Sequence, residues 1–411
     1  MFAVHCRIKP WWALNVLEAL IFKKIRSWLS VDAIFTLYSD RNYLEIKSWD
    51  SVLTAEAQET SSEWQIIKIP IITALPQRIN SLFRRADDTK PRLISSIIDY
   101  RNLMPLFPEL MKILSWKLKR KIKHDTWRMD DKKSVVHNPE SNTILISSYA
   151  VAKNIDIPVW WTSEIYFHQP MHYIWTLYDE YVWSMERWRK RLYKLIVPRL
   201  RRRDQQYRQY DTIYANSQST MTQIKKIYRL WDQSVQVIHP PIAKQFFTES
   251  VVTLPDNYFF YINRLTKLFK HLDKIILLCN RHHVPLIIAG DWPDKEYLMS
   301  IAGPTITFVG WVSNIQDKIT LMKRSRWILN IAHESFGIVT AEALLLGVPV
   351  FGYQWGATPE LVDERSGILT PSVDEKTMDD YFKQFLDRSF DREKIQEHAR
   401  TTLWAQQEFR V

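Results

Sequence analysis

The sequence predicts an α/β fold of parallel sheets layered with helices, and three observations carry that prediction. Short apolar runs without polar alternation, such as Thr143–Ser148 (TILISS) and residues 285–290 (PLIIAG), read as strands buried on both faces. Between such runs lie stretches with apolar residues three and four apart, as at Phe336, Val339, Ala343 and Leu346, which is the spacing of a helix face. Small polar residues follow several runs, among them Ser147, Ser148, Asn216 and Ser217, where an open parallel sheet gathers its ligands.

Taken in order, Phe2–Ile8 reads as the opening strand and residues 13–24 as an apolar-periodic helix. Residues 33–37 and 64–72 are strand-like, separated by polar and Pro-containing connections. Residues 117–142 are polar, charged and aperiodic, and read as a surface insertion or mobile loop. After Thr143–Ser148, strands are expected to end at Phe167 and Ser217, a helix to cover 219–228 and a further strand 235–241. A linker is expected near 240–255. Strands follow at 258–263, 285–290, 305–309 and 327–331, and helices from 377 to the end.

Length and totals narrow the class. A chain of 411 residues has ample core for two or three domains. Cys6 and Cys279 match no metal or redox spacing, and no apolar run approaches the ~18 residues of a spanning helix. A cytoplasmic protein, soluble or peripheral on the inner face of the plasma membrane, is the expectation. The net charge of +11 is uneven: residues 1–250 hold 38 Lys and Arg against 25 Asp and Glu, and residues 251–411 hold 18 against 20. The excess concentrates in 117–123 (KLKRKIK) and 187–203 (RWRKRLYKLIVPRLRRR), stretches that suit an anionic membrane surface or a nucleic-acid backbone, or a solvated helix face with snorkelling stems. No groove-reading motif accompanies them, so nucleic acid is not the expected partner.

The stretch that organises the chain is residues 333–349, HESFGIVTAEALLLGVP, which reads as a loop, a buried helix and a turn into a strand. Glu334 stands just before the first helical turn and Glu342 about two turns on. A helix start offers unpaired N–H donors and a partial positive charge to an anionic ligand, while a carboxylate nearby accepts hydrogen bonds from hydroxyls.

Two Glu separated by seven residues, with Phe-Gly-Ile-Val between them and Ala-Leu-x-x-Gly-x-Pro after, closely resemble the signature of retaining glycosyltransferases of family four. The resemblance implies the GT-B fold, two Rossmann-like domains facing across a cleft: an acceptor-binding domain over 1–245, a nucleotide-sugar domain over 246–385, and a C-terminal helix over 386–411 crossing back to the first. It assigns the donor sugar to Glu334, the ribose to Glu342, and the diphosphate to Arg264 and Lys270, with Lys267 a competing cation. Backbone amides at Phe336, Gly337 and Ile338 would complete the anion site. His168, in the stretch 165–175 (IYFHQPMHYIW), resembles the acceptor-side motif, placing His168 and Met171 with Trp11 and Trp12 at the acceptor. His168, Arg264, Lys270 and Glu334 are thereby the catalytic candidates.

Glycine usage departs from that pattern. All eight glycines fall at or after Gly290, against 18 tryptophans in the chain. Trp11, Trp12, Trp292 and Trp355 stand where the family has glycine, so some of these tryptophans are read as UGA codons that the source organism decodes as glycine. The implied reaction moves a hexose, mannose favoured, from a nucleotide sugar such as GDP-mannose to a lipid-linked or surface-polysaccharide acceptor. With no Asp-x-Asp in the sequence, neither metal nor other cofactor is expected. A phosphorylase or sugar-phosphate synthase is the alternative on the same fold, and a basic non-catalytic binding protein a third.

Overall fold

The structure, a computed structural model, describes residues 2–8, 33–39, 43–45, 63–68, 116, 118–120, 143–148, 152–157, 161–206, 210–252, 255–291 and 294–405. The helix expected over 13–24, together with Trp11, Trp12 and Trp292, lies outside these. The chain divides into two compact units, one of Met1–Ala215 with Met221–Gln236, the other of Asn216–Thr220 with Val237–Arg410.

The first unit is built on strands β1 (Phe2–Ile8), β2 (Ala33–Ser39), β3 (Tyr43–Glu45), β4 (Glu63–Lys68), β5 (Thr143–Ser148), β6 (Thr162–Phe167), β7 (Thr212–Ala215) and β8 (Val235–Val237), in spatial order β3-β4-β2-β1-β5-β6-β7-β8. Strands β4, β2, β1, β5, β6 and β7 pair in parallel, while β3 runs antiparallel on β4. Without β3, the order from β4 to β7 is the 3-2-1-4-5-6 of a doubly wound sheet. Helices α1 (Tyr178–Ser184), α2 (Arg187–Gln205) and α3 (Gln218–Tyr228) follow β6 and β7. Ile144, Ile146, Ile165, Phe167 and Ile213 from the strands form one core with Val197 and Leu200 of α2 and Ile224 of α3. Inside it Lys153 pairs with Asp204, whose carboxylate also accepts from Trp175 Nε1 at 2.7 Å and Tyr228 OH at 2.9 Å, so the buried charges are fully bonded.

One expectation fails here. Residues 118–120 are helical, and Leu118 is fully buried in this core, within the stretch read as a loose insertion. A single apolar anchor among basic neighbours makes no visible period.

The second unit repeats the same order. Strands β9 (Phe259–Ile262), β10 (Leu286–Ala289), β11 (Ile306–Gly310), β12 (Trp327–Asn330), β13 (Val350–Tyr353) and β14 (Gly367–Thr370) lie as β11-β10-β9-β12-β13-β14, all parallel. Its helices are α4 (Gln245–Thr248), α5 (Leu272–Arg281), α6 (Lys295–Ser300), α7 (Ile315–Arg324), α8 (Ile338–Leu345), α9 (Thr358–Leu361), α10 (Glu375–Asp387) and α11 (Arg392–Ala405). Successive side chains of a strand point to opposite faces, which makes two cores. Phe259 and Tyr261 pack with Leu272, Ile276 and Phe382 on one face, Phe260 with Leu345, Ile395 and Leu403 on the other. The last helix is held on this second face. Ile242, Phe246 and Phe247, within the stretch expected as a linker, are buried there too.

Candidate functional site

In a doubly wound sheet the crevice opens where the strand order reverses, at the carboxyl ends of the two strands on either side. In the second unit those strands are β9 and β12. Asn263, the residue after β9, uses both ends of its side chain. Its Oδ1 accepts the Arg264 N–H at 2.9 Å, and its Nδ2 donates to Glu334 Oε1 at 3.2 Å. Lys270 donates its ammonium to that same carboxylate oxygen, with both side chains largely out of water. Arg264 is exposed on the loop that leads from β9 to Lys270. Lys267 turns elsewhere: its ammonium sits 4.6 Å over the ring centre of Tyr297, and its N–H donates to Asp294. Of the two candidate lysines, Lys270 is the one that meets Glu334.

The loop after β12 is held from several directions. The Glu334 carbonyl accepts the Ala357 N–H at 3.2 Å, and Ser335 accepts Ser217 Oγ on its carbonyl at 2.7 Å and Asn216 Nδ2 on its hydroxyl at 3.2 Å. Phe336 is buried, its ring centre 4.8 Å from that of His239. Gly337 then takes φ +96° as the N-cap of α8, a left-handed conformation open to glycine, and no side chain caps the helix start. The first amides of α8 thus follow directly on Glu334, as an anion site requires.

Glu342 lies buried on α8, and Lys318 of α7 reaches it with Nζ 2.6 Å from Oε1 and 2.5 Å from Oε2. Burial raises the carboxyl above its ordinary range and the Lys318 ammonium pulls it back. A Lys318→Met variant removes the opposing cation and pushes Glu342 further up. An acid whose folded pKa exceeds its unfolded one stabilises below the unfolded value and loses that contribution as pH rises through the folded value. The variant is therefore expected to be less stable than the parent by about 3 kcal/mol at pH 8, the low end for breaking a buried pair. The gap in melting temperature should narrow as pH falls toward 5 and Glu342 takes up a proton. A gap that stays constant with pH would rule this out.

Beside Glu334 stands a ring cluster. His271 Nε2 and His333 Nδ1 are 3.1 Å apart, and His333 meets the rings of Tyr353 and Trp355 edge-on, with centres 5.3 and 4.6 Å away. Burial, His333, Lys274 and Lys270 hold His271 down to about 3, and burial above all brings His333 to about 4, so both are neutral at pH 7. Trp355 keeps a negative φ, whereas Gly356 sits at φ +61°, where a Cβ would stand 1.9 Å from the Glu334 carbonyl oxygen. Of the adjacent Trp355 and Gly356, only the second position requires glycine.

In the first unit, His168 directly follows β6, fully buried, its Nε2 2.7 Å from Ser147 Oγ near the end of β5. Met171 is also buried, its sulfur accepting from Tyr173 OH at 3.2 Å, and it belongs to the core rather than to an exposed surface.

Sequence reasoning missed Lys318, the cluster of His271 and His333, and the part played by Asn263. Lys318 belongs to a short amphipathic helix, and nothing in that local pattern points 24 residues ahead to Glu342.

Residues 244–402 match the family model of glycosyl transferases group 1, and no curated protein sequence matches the chain. Among solved structures, WaaG, a glycosyltransferase involved in lipopolysaccharide biosynthesis, aligns at TM-score 0.59 and 13% identity, over 99% of this chain and 98% of its own. Sucrose-phosphate synthase from Thermosynechococcus elongatus aligns at 0.58 and 14%, over 98% and 94%. HepE from Anabaena, in complex with UDP and glucose, aligns at 0.56 and 13%, over 99% and 96%. The fold is that of these proteins, GT-B with two Rossmann-like units.

Proposed function

We propose that this GT-B protein is a retaining glycosyltransferase that moves a hexose, mannose from GDP-mannose in the first instance, to an acceptor hydroxyl on a lipid-linked or surface-polysaccharide glycan. The observation that carries the reading is the convergence of Asn263, Lys270 and Glu334 beside the uncapped start of α8, at the strand reversal of the unit that matches glycosyl transferases group 1.

In this reading Glu342, held by Lys318, accepts hydrogen bonds from the ribose hydroxyls. Arg264 and Lys270 bond the diphosphate, with the amides of Phe336, Gly337 and Ile338. As the bond between sugar and diphosphate breaks, negative charge grows on the leaving oxygen, and preplaced cations and amides are worth most at that moment. No metal or other cofactor is required of this arrangement. Glu334, fixed by Asn263 and Lys270, accepts from the sugar hydroxyls, and His168 of the first unit orients the acceptor. The acceptor reading places the protein on the cytoplasmic side of a membrane that carries the glycan lipid. A UDP-hexose donor is the second reading, supported by the UDP and glucose held by HepE, and a sugar-phosphate acceptor the third, supported by the likeness to sucrose-phosphate synthase.

Thermal unfolding in the presence of GDP-mannose, UDP-glucose and ADP-glucose tests the donor. A ligand that binds only the folded state at 100 times its Kd adds about 2.7 kcal/mol. One of the three is expected to raise the melting temperature by several degrees, undiminished by EDTA, and Glu342→Ala to abolish the rise. Absence of stabilisation by all three would overturn the reading.

A further inference from the structure

We infer that the exposed face of α2 is a docking surface for an anionic lipid bilayer. The inference rests on the first unit alone and stands apart from the donor reading.

At 3.6 residues per turn, Trp188, Leu192 and Leu195 fall on one line of the helix, at steps of four and three. They are 60, 49 and 68% exposed, and Trp183 on α1 is 80% exposed. Large apolar side chains singly on a surface need no explanation; four within thirteen residues, three of them in register, form a ridge. Arg187, Arg191, Arg199, Arg202 and Arg203 are exposed on the same half of the circumference, and Lys194 borders it. The opposite side explains the rest of the helix. Val197 and Leu200 enter the core, Arg201 lies over the Trp175 and Tyr178 rings, and Asp204 is buried against Lys153.

The one acid of the helix is therefore turned inward, and the outer face is cationic with an apolar crest. The nearest outer acid is Glu186 at the N-cap, which accepts the Trp188 indole N–H at 2.8 Å and holds the ring beside Arg189. This pairing of chemistries selects the occupant. Phosphate headgroups bond the arginines while Trp and Leu enter the boundary with the acyl chains. A nucleic-acid backbone would meet the cations and leave the crest unmatched, and a second copy of the same face would repel. No helix among the described residues is long and apolar enough to cross a membrane, so the contact is with the surface.

The full chain should be sedimented with vesicles of phosphatidylcholine alone and of phosphatidylcholine with about one third phosphatidylglycerol, at low and at high salt. Binding to the anionic vesicles is expected to exceed that to the neutral ones at least ~10-fold at low salt and to fall in high salt. A Trp188→Ser, Leu192→Ser, Leu195→Ser variant should lose about 10-fold in binding with an unchanged melting curve, since these side chains leave the core untouched. An Arg191→Gln, Arg199→Gln, Arg202→Gln variant should lose the salt-sensitive part. Equal binding to both vesicle types, or wild-type binding by the serine variant, overturns the inference. So does tight binding of a single-stranded RNA by both proteins without binding of vesicles, which would reassign the face to nucleic acid.

Discussion

A Lys270→Met protein is expected to turn over about 100- to 1000-fold more slowly than the parent, the loss of 2.7–4 kcal/mol seen when one preplaced charge-stabilising donor is removed. Lys270 shares an oxygen of Glu334 with Asn263, so on the proposed function an entering diphosphate would meet an ammonium already placed and mostly dehydrated. The substitution removes the cation and also leaves the Glu334 carboxylate with a single neutral donor. Lys270→Arg, which keeps the charge, should recover part of the rate. Steady-state kinetics with the donor identified by thermal unfolding, compared with melting curves of both variants, checks it. Turnover within a few-fold of the parent for Lys270→Met would remove Lys270 from the chemistry and leave it a structural partner of Glu334.

Gly356→Ala should be nearly as damaging, by another route. At φ +61° any side chain is strained by roughly 1–2 kcal/mol, and here the new methyl would press on the Glu334 carbonyl, so about 3 kcal/mol of stability is the expected loss. Glu334 must move to make room, and with Glu334 in the role proposed for it a shift near 1 Å is expected to cost about 100-fold in rate. Melting temperature and turnover should fall together, whereas Gly303→Ala presses on the Asn280 side chain, which bonds Ile301 and Gly303, and should lose stability without the rate. Equal rates in both would disconnect the turn from the site.

Much of this arrangement could be read before any coordinates. Thr143–Ser148 was bounded to the residue, because a strand buried on both faces is an unbroken apolar run between polar ends. The pairing of Glu334 with the start of α8 was legible because a loop, a glycine and a period-3.6 stretch follow one another without interruption. What stayed hidden involves residues far apart in sequence. The Lys318–Glu342 pair joins two helices whose own periodicities are complete without it, and the His271–His333 contact depends on β9 and β12 being neighbours, which only the strand order reveals. Leu118 shows the converse limit, a buried position that one apolar letter among lysines does not announce.

The bare start of α8 has a consequence for how this unit responds to its ligand. A helix that closes its own first turn with a serine or aspartate is finished when the chain folds. With Gly337 in that place, the closing group has to be brought from outside, and an arriving phosphate would serve as the missing cap. On the proposed function, recognition of a phosphate and ordering of the first turn of α8 would then become one event.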